Sequence, residues 1–211
     1  MGPIITPGNQ SPVEEIFNSV LHGIGILLAL TALVLLIIKF NNHSPSLLIS
    51  SISFSIALAI LFLMSVLHHS LVPKTAKHIF LILDYAAIYI VIGATYSPFL
   101  IILHKTQYML LLISIWLLSI TGIILSAIFS RKIKTIAPIF YISLGWIALL
   151  IIKPLYYKIG PIPTVLLLIG GCSYTIGTYF YLNDSNKYYH AIWHGAVLIG
   201  ATVHTAAILL L

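Results

Sequence analysis

Charge is what this sequence has least of. Asp, Glu, Lys and Arg make up 7 % of its 211 residues, and only four of them are acidic. Soluble domains carry roughly 25 % charged residues, so this chain cannot coat a water-facing surface. Cysteine is nearly absent too. A single one, Cys172, excludes an intrachain disulfide framework and a CxxC metal site. Set within an apolar stretch, it is expected to be an inert buried thiol. The sequence has no phosphate loop, dinucleotide fingerprint or CxxCH, so nucleotide and haem binding have no support. Its ten Lys and Arg are scattered among loops and form no basic patch, which removes the nucleic-acid reading that a formal charge of +6 invites.

What is abundant is apolar sequence: 60 % of residues are hydrophobic, and mean hydropathy is +1.11. A hydrocarbon core of about 30 Å demands about 20 apolar residues per helix. Seven such runs are read, at 17–40, 47–71, 79–103, 108–129, 136–152, 164–182 and 190–211. Short polar breaks separate them, at 41–45, 72–74, 104–105, 131–132, 160–161 and 183–187. The runs are continuously apolar and do not alternate, which argues against a β-barrel. The expected fold is an all-α integral membrane protein, with seven transmembrane helices in one bundle. A short segment, 1–16, precedes a membrane domain over 17–211, which leaves no room for an added soluble domain.

Residues 1–13 are polar and Pro-rich without Lys or Arg, unlike a cleaved signal peptide, so the first span is expected to direct insertion. A cytoplasmic N-terminus puts Lys74, Lys77, Arg131, Lys132, Lys134 and Lys187 inside, against Lys39, Lys105, Lys153 and Lys158 outside. That asymmetry favours a plasma-membrane protein with its N-terminus in the cytoplasm and its C-terminus outside.

Ionisable residues inside spans are costly and usually face a bundle interior or cavity. Glu14 and Glu15 precede the first span, where they suit the positive end of a helix dipole, and Asp184 is in a loop. Asp84 alone sits within an apolar run. His43, His78 and His104 fall at loops or helix ends and read as interfacial. The other histidines converge. His68 and His69 end the second span, Asp84 begins the third, and His190 and His194 begin the seventh; in an antiparallel bundle all share one membrane face. Asn18 and His22, at the start of the first span, lie there as well. His190 and His194 are four apart and share a helix face, as do Ser65 and His69. Three neutral imidazoles plus an oxygen ligand or water form a standard zinc set, and imidazole alone suffices to hold Zn2+. His204 lies ten residues beyond His194, about 15 Å along the helix, too deep to join. The place of His22 stays open.

The same residues carry a resemblance. Glu14-Glu15-Ile16-Phe17-Asn18 with His22-Gly23-Ile24-Gly25 is followed by Ser65-Val66-Leu67-His68-His69. Asp84-Tyr85-Ala86-Ala87-Ile88-Tyr89 leads into Gly93-Ala94-Thr95-Tyr96-Ser97-Pro98. Gly145-Trp146, Gly170-Gly171-Cys172-Ser173-Tyr174-Thr175-Ile176-Gly177 and His190-Ala191-Ile192-Trp193-His194 close the series. Running in order over nearly the whole chain, these motifs resemble the hemolysin III family, the bacterial branch of the progestin and adiponectin-receptor proteins. The resemblance implies a seven-helix fold with zinc held near the cytoplasmic face by three histidines. Its Ser-x-x-x-His motif maps a ligand to His69, and its His-x-x-x-His motif maps ligands to His190 and His194. Asp84 matches the family acid that holds or orients the metal's water, and Ser65 a serine near the site. Position 68 is His where the family usually has an aromatic residue, which leaves the choice between His68 and His69 to their spacing from Ser65.

Three functions compete. The first is a zinc hydrolase of membrane lipid amides such as ceramides, in which Asp84 handles the water and Ser65 stabilises the oxyanion. Its partners are membrane lipids. The second is the family's name, a cytolytic pore-forming protein. The third is a receptor or membrane-homeostasis protein with structural zinc. A pore needs a polar stripe through the bilayer, whereas the polar groups here crowd at one face.

Overall fold

Proline sets where three of the helices begin. Pro12, Pro45 and Pro161 each stand in a first helical turn, where a missing N–H costs nothing. A computed structural model describes residues 10–128 and 133–211. Its helices are α1 (Pro12–Phe40), α2 (Pro45–Ser70), α3 (Lys74–Ile101), α4 (Thr106–Ile128), α5 (Ile133–Gly145), α6 (Ile152–Ile159), α7 (Pro161–Leu182) and α8 (Tyr189–Leu209). A 3-10 turn, Trp146–Leu150, joins α5 to α6. The stretch before residue 10 and the expected break at 131–132 lie outside the described residues.

Six of these helices are long and apolar enough to cross a membrane, and the bent α5–α6 pair brings the number to seven. The chain is a multi-pass membrane protein. At 1.5 Å per residue, the 29 residues of α1 span about 44 Å, more than the hydrocarbon core, so its Glu14–Glu15 end reaches the interfacial zone. Successive helices pack as a ring, α1 to α5 and then α7 and α8 back to α1. The outer surface is apolar, with Leu27, Ile38, Leu117 and Ile199 all exposed. Five hydroxyls on the exposed faces are satisfied locally: Thr31, Ser53, Ser114, Thr121 and Thr202 each donate to the carbonyl four residues earlier. In lipid there is no water to do this.

Lipid removes most of the hydrophobic gain from helix association, so close packing by small residues takes over. A Cβ on Gly25 of α1 would stand 2.6 Å from the Phe62 ring of α2, and one on Gly177 of α7 would stand 2.6 Å from Ala196 Cβ of α8. At both seams glycine lets the neighbouring side chain reach the helix backbone.

Two expectations need correction. The fifth span is no single helix: its arms, Ile136–Leu150 and Ile152–Ile159, meet at 55°. Pro154 has no N–H for the Leu150 carbonyl and its ring crowds that group, so the helix breaks there. The single hydrogen of Tyr96 Oη is shared between the carbonyls of Leu144 and Gly145, at 3.0 and 2.6 Å, where α5 gives way to the 3-10 turn. Residues that read as a connection form α6, whose Tyr156 and Tyr157 are exposed beside Lys153 and Lys158, an interfacial composition. Cys172, expected to be buried, is exposed on the outer face of α7. Mean hydropathy cannot tell a core-facing position from a lipid-facing one.

Candidate metal centre

The polar residues gather where α1, α3 and α8 begin and α2 ends. His68 and His69, adjacent on α2, meet edge to face with ring centroids 4.7 Å apart and make different contacts. His68 Nδ1 meets the Lys77 carbonyl at 3.0 Å, and His69 turns towards α8. The four-residue spacing on α8 sets His190 edge to face against His194, with ring centroids 4.6 Å apart. One ring nitrogen from each of His69, His190 and His194 lies within 4.8 Å of the other two. His69 and His194 are buried, and the His190 side chain keeps 12 % exposure. The cluster can hold a metal ion.

Nε2 of His194 stands 3.0 Å from Nε2 of His69. Two nitrogens on one tetrahedral zinc, each about 2.05 Å from it, are about 3.3 Å apart, so a small adjustment accommodates the ion. His22, buried on α1, does not enter the triad. Its Nε2 lies 2.8 Å from Nδ1 of His194, behind that ring.

Two of the four carboxylates, Glu15 and Asp184, make contacts that the sequence did not announce. Glu14 does serve the helix start, closing a capping box with Ser11, and its Oε1 also accepts from the Tyr188 amide at 2.8 Å. Tyr188 holds φ of +63°, a left-handed conformation unusual for a bulky residue, directly before α8. The Glu14 contact pins this turn, from which His190 and His194 project. Glu15 does something else. Its Oε2 accepts from His69 Nδ1 at 2.5 Å, and its Oε1 pairs with Lys77. Asp184 lies 2.5 Å from Lys134 Nζ and 3.7 Å from His190 Nδ1. Burial pushes the Asp184 carboxyl pKa up, but His190 and Lys134 more than offset this and leave it below its ordinary value.

Asp84 and Ser65, the residues expected to handle water and oxyanion, come from α3 and α2. Asp84 lines the same small cavity as the three histidines, about 30 Å³, enough for a water or two. Ser65 is fully buried beside Asp84, yet among the described residues its hydroxyl has no well-aligned hydrogen-bond partner. A second cavity, about 110 Å³ and almost wholly apolar, runs between α3, α5, α7 and α8. Ile88, Tyr141, Thr178 and Trp193 line both. His204 lines the deep cavity and bonds the Leu167 carbonyl at 3.0 Å, away from the triad. Sequence reasoning missed the roles of Glu15, Asp184 and His22 around the rings. The available signal was the number of acids: with four in the chain, two at one helix start invite a specific role for each.

Comparison with known proteins accords with this architecture. The chain is 38 % identical over 190 residues to the hemolysin-3 homolog of Bacillus subtilis (strain 168), covering 89 % of each chain. It is 38 % identical over 201 residues to hemolysin-3 of Bacillus cereus, covering 94 % of this chain and 92 % of that one. The human monocyte to macrophage differentiation factor is 29 % identical over 168 residues, covering 74 % and 67 %. The model of the haemolysin-III related family matches residues 10–205, nearly the whole chain, and the chain belongs to that family.

Proposed function

We propose that this protein is a zinc-dependent hydrolase of membrane lipid amides, with His69, His190 and His194 holding the metal. The observation that carries this reading is the junction of two cavities. A polar one, lined by three histidines and Asp84, shares four residues with an apolar one inside the bundle. A substrate with a polar scissile group and a long hydrocarbon chain matches that pair. The donor set is all imidazole, which suits zinc. The chemistry zinc supplies when bound is Lewis acidity towards a carbonyl and towards water.

The chain's own residues then divide the work. Asp84, a base on the cavity wall, orients a water, takes its proton as the water adds to the amide carbon, and passes that proton to the nitrogen that leaves as the C–N bond breaks. Ser65, buried beside Asp84, donates to the oxygen that gains charge as the amide carbon becomes tetrahedral. The apolar cavity takes the acyl chain and keeps bulk water from it. Orientation belongs to the proposal as well: with the N-terminus cytoplasmic, the centre faces the cytoplasm, and residues 1–16 are a cytoplasmic lead-in to the membrane domain.

The same cavity favours a second reading, a receptor that retains a lipid beside a structural zinc without turning it over. The name of the Bacillus cereus relative suggests cytolysis. A conducting path needs polar lining at every depth, and the deep cavity is lined almost entirely by apolar atoms. Metal content by mass spectrometry on detergent-purified protein, wild type beside His194→Ala, is the first test. Stoichiometric zinc lost in the mutant makes a ceramide hydrolysis assay in mixed micelles decisive between enzyme and receptor. Chelator-free wild type without zinc sinks the centre.

A further inference from the structure

We propose that Glu15, anchored by Lys77, is a positioning residue of the metal centre, fixing the His69 ring so that Nε2 faces His190 and His194. The inference rests on the zinc reading above and extends it to a residue outside the ligand set. Glu14 and Glu15 are neighbours in the first turn of α1, where either would gain from the helix dipole. Only Glu14 turns to backbone amides. Glu15 crosses to α2, placing one oxygen 2.5 Å from His69 Nδ1 and the other on Lys77 of α3. Three helices therefore meet at one carboxylate.

The chemical consequence follows from the imidazole. A histidine ring can flip about its last torsion, exchanging the nitrogen it offers. A carboxylate on Nδ1 holds that hydrogen in place, leaves the lone pair on Nε2, and makes the ring a stronger donor to a metal. Nε2 of His69 is the atom 3.0 Å from His194. Lys77 restrains the carboxylate; at 26 % and 21 % side-chain exposure the Lys77–Glu15 pair sits near the mouth of the cavity.

The test is zinc affinity of the full chain in detergent, read by competition with a chromophoric chelator. Losing such a partner typically costs a site about 10–100-fold in affinity, and Glu15→Ala is expected to fall in that range. Glu15→Gln keeps an acceptor oxygen and is expected to lose less. Lys39→Gln, in the last turn of α1 and at the opposite end of that helix from the histidines, is expected to bind zinc like wild type. Thermal unfolding of the metal-free proteins separates positioning from folding: Glu15→Gln should melt with wild type while binding zinc more weakly. Should both Glu15 variants hold zinc as tightly as wild type while His69→Ala loses it, the histidine centre stands and the positioning role is overturned. Where Glu15→Ala does not fold, Glu15→Gln decides alone, with unchanged affinity overturning the role. Wild type that takes up no zinc removes the centre and this inference with it.

Discussion

The α1–α2–α8 end of the bundle and the α5–α6 segment belong to one apolar bundle and are built very differently. In the first, a glycine seats a ring against its backbone, four histidines interlock, and carboxylates from α1 reach α2, α3 and the turn before α8. In the second, the helix is bent by 55°, and a Cβ placed on Gly145 or Gly160 meets nothing within 4 Å. The first end is where histidines that can hold a metal ion need fixed geometry; the broken segment borders the apolar cavity. A helix held on several sides keeps its rings in place, and one with a break leaves room beside it. The same chain supplies both because lipid tolerates any apolar surface and penalises unpaired polar groups.

The comparison can be broken most severely at the histidines. His190→Ala is expected to abolish metal retention altogether, as measured by metal analysis after gel filtration; full zinc occupancy in that mutant would falsify the centre. Asp84→Asn is expected to keep the metal and lower hydrolytic turnover by about 10²–10⁴-fold, the usual contribution of a positioned base. If that variant loses the metal instead, Asp84 is a ligand and the receptor reading gains.

The two regions should also respond oppositely to one methyl group. Gly25→Ala forces a Cβ towards the Phe62 ring, 2.6 Å away, and overpacking of this kind costs typically about 1–3 kcal/mol. Gly145→Ala meets open space, and its effect is expected to stay within about 0.5 kcal/mol. Unfolding in detergent compares them directly, and equal losses would dissolve the distinction. Smallest of all is Cys172→Ala, on the outer face, where no change in stability or zinc content is expected. In wild type the same thiol should react with a membrane-permeant maleimide and resist a charged one.

Much of this was legible from periodicity and topology alone. The antiparallel rule brings His69, His190, His194 and Asp84 to one face, because short breaks leave successive spans no other course. The α6 helix was not seen, since an eight-residue segment with two tyrosines and two lysines reads as a connection. Pro154 carried the signal, as its ring acts on the carbonyl four residues back. Cys172 was misplaced because every face of a span in lipid is apolar, and hydropathy loses the contrast that marks a core in water.

By itself the sequence determined the class, the spans and the membrane face on which the histidines gather. Those follow from the cost of charge in hydrocarbon and from helix length, which are properties of single segments. Which nitrogen each ring presents, that Glu15 crosses to His69 while Glu14 caps, and that the polar and apolar cavities share a wall were decided only in the tertiary structure. They depend on how neighbouring helices rotate about their axes, and packing between side chains distant in the chain sets that rotation.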